Sequence, residues 1–140
     1  MSAPEHAGGA PLQRPEGEVI IRFEDVYKSF GRHDILKGLS FEVNRGRTLG
    51  LMGGSGTGKS VTLRHVIGLL TQDSGKVEVE GREVSSMNAR ELGELRKRMG
   101  YVFQEGALIN WLTVAENLAL PLVENSELSK SEIDDRVAEK

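Results

Sequence analysis

Apolar and polar positions follow a readable order along this chain. Residues 19–23 carry Val19, Ile20, Ile21 and Phe23, and in residues 39–43 Leu39, Phe41 and Val43 alternate with Ser40 and Glu42. Both stretches predict strands. Between them, residues 27–31 predict a turn ending at Gly31. A third strand is expected over residues 48–52, running directly into the glycine-rich stretch 53–58. Beyond the glycines, Leu63, Val66, Ile67 and Leu70 fall at i, i+3, i+4 and i+7, the spacing of one helix face. Residues 72–75 have turn chemistry, and residues 76–81 alternate with period two as a further strand. Asn88 can cap a helix reaching Arg98, with Leu92, Leu95 and Met99 spaced for burial. Residues 100–103 predict a short strand. Thr113 and Ser129 can each open a helix, with Ile133 and Val137 four apart in the second. No internal repeat is visible. The pattern is that of an α/β core in which a glycine-rich turn joins a strand to a helix.

Residues 1–17 stand apart. They hold three of the four prolines and little that could pack, so a flexible tail is expected, followed by a folded region over residues 18–140. The tail has no apolar run of the secretory kind and few basic residues.

Composition narrows the class. The chain has 140 residues, a net charge of −3 and no cysteine, which excludes disulfides and thiolate metal sites. The slightly acidic balance gives no support to a nucleic-acid partner, and no apolar stretch approaches the roughly 18 residues of a membrane span. Glycine is the outlier, at 17 residues.

Several of those glycines have a chemical reason. Gly53, Gly54, Ser55, Gly56, Thr57, Gly58, Lys59 and Ser60 fit G-x-x-x-x-G-K-[ST], with an apolar stretch before and an amphipathic helix after. Phosphates are held by converging backbone N–H groups at the positive end of a helix dipole. Glycines keep Cβ atoms out of that cradle. Lys59 offers a flexible point charge for the β- and γ-phosphates, and the Ser60 hydroxyl is a hard oxygen ligand for Mg²⁺. The guanine-reading N-K-x-D of GTPases is absent, and about 30 strand-forming residues precede the loop, unlike most small-molecule kinases.

Phe30-Gly31, the phosphate loop, and Tyr101-Val102-Phe103-Gln104, in that order, resemble the ATP-binding subunit of ABC transporters. The resemblance spans residues 19–140. It implies a P-loop NTPase core of ABC type: an N-terminal antiparallel β-subdomain followed by the P-loop strand–helix unit, ending before the second half. It assigns Phe30 to stacking on adenine, although packing in a core is the plain alternative for that ring; Tyr27 is a competing aromatic whose spacing from Gly31 fits less well. It gives ATP and Mg²⁺ as cofactors, held by residues 53–61, and gives Lys59 and Gln104 catalytic roles, Gln104 reaching Mg²⁺ or the attacking water. Val61 stands where other branches carry Thr, so one hydroxyl towards the α-phosphate is missing.

Gly58-Lys59-Ser60-Val61-Thr62-Leu63, residues 96–100, Gly106-Ala107-Leu108 and residues 112–122 are similar to the Mla/Mce-type lipid-trafficking branch. That likeness implies a phospholipid or other hydrophobic cargo. The family implies a membrane permease and a second ATP-binding subunit as partners, at the inner face of the cell membrane. The L-S-G-G-Q signature, the strand ending in Asp-Glu and the switch histidine do not occur, so the chain reads as the front part of a longer subunit, without turnover by itself. A non-catalytic nucleotide-binding module and another P-loop enzyme, such as a kinase, are the alternatives. Leu108, Ile109, Trp111 and Leu112 could receive a membrane partner or simply pack locally. The charged run 90–98 reads as a solvated helix face, and His65 as structural or exposed.

Overall fold

The computed structural model describes residues 17–103, 106 and 108–140. The expected tail therefore lies outside the described residues, except for Gly17. Two compact units divide the chain, one ending at Leu92 and the other comprising Gly93–Lys140.

In the first unit, β1 (Val19–Phe30) and β2 (His33–Asn44) form one long antiparallel hairpin. The turn expected at residues 27–31 is shorter and later. Tyr27, Lys28, Ser29 and Phe30 continue the ladder opposite Lys37, Leu36, Asp34 and His33, and only Gly31 and Arg32 turn. The adjacent polar residues Lys28 and Ser29 break the period-two pattern and so hide the strand. β3 (Ser74–Val79) pairs antiparallel with the other side of β1, and the two-residue β4 (Arg82–Glu83) follows, giving the order β2-β1-β3-β4. The strand expected over 76–81 thus begins and ends two residues earlier, since Glu80 and Gly81 form the turn into β4.

The core of this unit is the inner face of that sheet. Phe23, Val26, Val77 and Val79 are buried, with Val66 and Ile67 from the helical region buried as well. Phe23 stacks on Phe41 across the hairpin at a centroid distance of 4.5 Å, a favourable aromatic arrangement. Helix α1 (Lys59–Val66) buries Thr62, His65 and Val66. The expected face, led by Leu63, is rotated: Leu63 is 47% exposed. Two polar side chains can occupy the buried face because each reaches back to a carbonyl one turn earlier. Thr62 Oγ1 donates to Gly58 O at 3.0 Å, and His65 Nδ1 lies 2.7 Å from Val61 O. Their remaining atoms then pack as apolar surface.

Two expected strands are not part of any sheet. Residues 48–52 and 101–103 have no ladder partner among the described residues. A β-branched or apolar run becomes a strand only when a neighbour completes its hydrogen bonds. Leu49 is accordingly half-exposed, and Met52 and Val102 are almost fully so.

Helix α2 (Ala89–Lys97) begins at Asn88, whose Oδ1 accepts from Glu91 N at 3.0 Å while Glu91 Oε2 accepts from Asn88 N at 2.9 Å. The cap at Asn88 is the one expected from the sequence; the return bond from Glu91 makes it reciprocal, and the helix ends at Lys97, one residue before the expected Arg98. Arg90, Glu94, Arg96, Lys97 and Arg98 are exposed and Leu95 is buried, so the charged run is a solvated face.

In the second unit, α3 (Val114–Asn125) and α4 (Lys130–Ala138) open with reciprocal caps at Thr113–Glu116 and Ser129–Glu132. Ile133 is buried, and a cavity of about 400 Å³ is lined by Leu118, Pro121 and Leu122 of α3 and by Arg136 and Val137 of α4. Asn117 binds the preceding turn to α3. Its Nδ2 donates to Ile109 O, Leu112 O and Thr113 O at 3.1, 3.2 and 2.9 Å, and its Oδ1 accepts from Ile109 N at 2.8 Å. No helix among the described residues is long and apolar enough to cross a membrane.

Gly75 marks the tightest point of the sheet. Its φ is +84°, and a Cβ there would land on the Asp25 carbonyl oxygen and 2.6 Å from Glu24 O. The ladder slips in register at this point, and Asp25 itself has φ +45°. Backbone meets backbone here, so no side chain can swing aside. Gly75→Ala should therefore cost at least about 2 kcal/mol, read as a lowered urea midpoint with an unchanged slope.

Candidate functional site

The phosphate loop leads from residues 48–52 into α1. Gly58, the N-cap of α1, has φ +91° and ψ +3°. A Cβ at Gly58 would meet Leu36 Cδ2 at 2.9 Å and Ile35 Cγ2 at 3.0 Å. The last glycine thus serves two needs, a left-handed conformation and close passage of β2.

The first helical bond of α1 is Thr62 N to Gly58 O, at 2.8 Å. The amides of Lys59, Ser60 and Val61 consequently have no carbonyl within the helix. They form the positive end of the helix dipole, open to an anion. Ser60 is exposed on this first turn, and its hydroxyl is the hard oxygen donor that Mg²⁺ takes. Lys59 is held by its own loop: Nζ donates to Gly53 O at 2.8 Å and Gly54 O at 2.6 Å. Thr57 Oγ1 donates to Gly54 O at 3.0 Å, closing the loop from the other side. The ammonium of Lys59, the three open amides and the Ser60 hydroxyl are therefore gathered at one end of one helix, and this donor set fits a Mg²⁺-bound polyphosphate.

Beside the loop lies a cavity of about 460 Å³, lined by Ile35, Leu36 and Gly38 of β2, Met52, Thr57 and Lys59 among others. The strand expected over residues 39–43 is the second half of β2, and its first half, residues 33–38, has no strand signal of its own in the sequence. Its place next to the loop is encoded by Gly58, whose missing Cβ permits the approach, and a single sequence gives no reason to pair positions 35 and 58.

Phe30 sits at the tip of the hairpin and is 46% exposed. It does not line the cavity described above. Lys28 Nζ lies 5.6 Å from its ring centroid, within cation–π range. Tyr27, the competing aromatic, is turned against the strand: a Cβ at Gly38 would stand 2.9 Å from its hydroxyl. Gln104, expected to reach the metal and water, lies outside the described residues. Leu108, Trp111 and Val114 present exposed apolar surface around the turn that Asn117 holds.

Among the described residues His65 is the most deeply buried titratable group, with 1% exposure. Its Nε2 makes no hydrogen bond of standard geometry among the described residues. Burial pushes its pKa down, and the Lys28 ammonium adds to this; the Val61 carbonyl, the Thr71 backbone and Asp73 oppose.

A match to the model of the ABC transporter family covers residues 36–140. The chain belongs to the ABC transporter family. It is 41% identical over 125 residues to "Protein TRIGALACTOSYLDIACYLGLYCEROL 3, chloroplastic" of Arabidopsis thaliana, covering 89% of this chain and 36% of that one. It is 42% identical over 112 residues to "Methionine import ATP-binding protein MetN" of Rhizobium etli, covering 80% and 31%. Among solved structures, the ATP-binding cassette MJ0796 bound to ADP and Pi superposes with a TM-score of 0.76 at 29% identity, covering 86% of this chain and 55% of that one. The chain spans about a third of the length of the curated relatives and about half of the solved cassette. These likenesses establish an ATP-binding cassette fold, with the expected antiparallel β-subdomain present as a sheet whose hairpin β1–β2 precedes the phosphate loop and whose strands β3 and β4 follow it.

The buried His65 gives the unit a pH dependence of defined sign. The unfolded chain takes a proton at this histidine near pH 6.5, the folded chain only at lower pH. The stability this confers is complete above that value and is lost as pH falls below it, at up to about 1.4 kcal/mol per pH unit. Urea midpoints between pH 7.5 and 5.5 should fall for the unaltered chain and fall less for His65→Gln.

Proposed function

We propose that this chain is the nucleotide-holding part of an ABC transporter ATPase, binding ATP with Mg²⁺ at residues 53–61. The carrying observation is the start of α1, where three amides without helical partners, the Lys59 ammonium and the Ser60 hydroxyl converge. In this reading the amides of Lys59, Ser60 and Val61 receive phosphate oxygens, and Lys59 leaves Gly53 O and Gly54 O for the β- and γ-phosphates. Ser60 supplies an oxygen to the metal. Phe30 takes the adenine ring, and Gln104 orients water or metal. Bound Mg²⁺ would supply charge neutralisation at the phosphates.

The whole subunit would hydrolyse ATP as one of a pair, working with a membrane permease from the cytoplasmic face. A structure of a dimeric MJ0796 cassette, similar at a TM-score of 0.77, supports the pairing. For cargo, the relatives' names point in two directions. One names a galactolipid and the other methionine import. The methionine-import relatives do not support a Mla/Mce-type lipid cargo, and the proposal stops at transport. The 140 residues by themselves would hold nucleotide without turnover, since the signature and the Asp-Glu strand do not occur in them. Malachite-green detection of phosphate should stay at background; sustained Mg²⁺-dependent release, abolished by Lys59→Ala, would overturn that statement.

Titration with a fluorescent ATP analogue tests the binding itself. Lys59→Ala should weaken affinity at least about tenfold, the scale of a lost charge-assisted hydrogen bond, with helix content by circular dichroism retained. Unchanged affinity would remove the assignment.

A further inference from the structure

The far end of the hairpin is held in an unusual way. Pairing between β1 and β3 stops at Tyr27 opposite Ser74. Past that point Asp73 takes over, with its backbone amide and its carboxylate. Asp73 N donates to Tyr27 O at 2.9 Å, Asp73 Oδ2 accepts from Ser29 N at 2.7 Å, and Asp73 Oδ1 accepts from Lys28 Nζ at 2.7 Å. One carboxylate thus continues the ladder and fixes an ammonium. The Lys28 side chain is mostly buried, at 15% exposure. Lys28 and Phe30 are two apart on β1 and so share a face of the strand, which puts Nζ 5.6 Å from the ring centroid. The ring nevertheless remains half-exposed.

We propose that Lys28 and Asp73 are positioning residues that fix Phe30 as a platform for the nucleotide base and favour its stacking on an electron-rich purine. This rests on the reading of Phe30 as the base contact. The physical reason is twofold. A ring at a hairpin tip otherwise loses rotamer freedom when a base stacks on it, and the clamp removes that freedom beforehand. A cation on one face also draws the ring's electron density away from the other, so an electron-rich base stacks there more strongly. Lys28 and Asp73 lie outside the phosphate loop, so in this proposal their contribution shows with ATP and not with inorganic triphosphate. Asp73 is suited to the task because Lys28 and then the Ser29 amide hold its carboxyl below the usual carboxylate range.

Calorimetric titration with ATP and with inorganic triphosphate, on the unaltered chain and on Lys28→Met, Asp73→Asn and Phe30→Ala, tests this. Lys28→Met keeps the apolar stem and removes the charge. ATP affinity should fall about three- to tenfold in Lys28→Met and Asp73→Asn, the range of a cation–π contact and a preorganised ring. Triphosphate affinity should stay within about twofold, and the double variant should be no weaker than the worse single one. If Phe30→Ala weakens ATP while Lys28→Met and Asp73→Asn do not, the positioning proposal fails and the base contact stands. If Phe30→Ala leaves ATP unchanged, the base contact itself fails. Equal loss of ATP and triphosphate affinity in the clamp variants would overturn the proposal by showing a general structural role.

Discussion

The close passage of β2 over Gly58 organises the first unit. Only a hydrogen atom separates the backbone at the N-cap of α1 from Leu36 and Ile35. A left-handed φ lets the chain turn from loop to helix there, and the absent Cβ lets the hairpin lie against that turn. The sheet and the loop are thereby bound together. β2 and the start of α1 then share the walls of one cavity, through Ile35, Leu36, Lys59 and Thr62.

Much of this was legible in the residues, for a definite reason. The phosphate loop is local: eight consecutive residues set its dihedrals, its charge and its helix start, so spacing alone identifies it. The helix caps at Asn88, Thr113 and Ser129 are local in the same sense, each needing one partner three residues on. The strands expected over 48–52 and 100–103 are not formed because a strand is a relation between segments, and their apolar residues have no ladder partner among the described residues. The buried face of α1 was misjudged for another reason. Thr62 and His65 look polar in a sequence, but bonds to Gly58 O and Val61 O cancel that polarity. The Asp73 clamp was invisible because it joins residues 44 and 45 positions apart.

The two titratable systems in the first unit are close enough to feel each other. Asp73 and Lys28 both bear on His65, with opposite sign. Burial is the larger influence on its protonation. Removing either partner alone would leave a single charge near an uncharged buried ring, which is why the clamp variants need a stability measurement beside the binding one.

Asn117 gives the second unit a mechanical character. Three donated bonds and one accepted bond bind the turn at residues 109–113 to the first part of α3. Trp111, 82% exposed on that turn, is therefore an apolar knob tied to a twelve-residue helix by side-chain hydrogen bonds as well as by the chain itself.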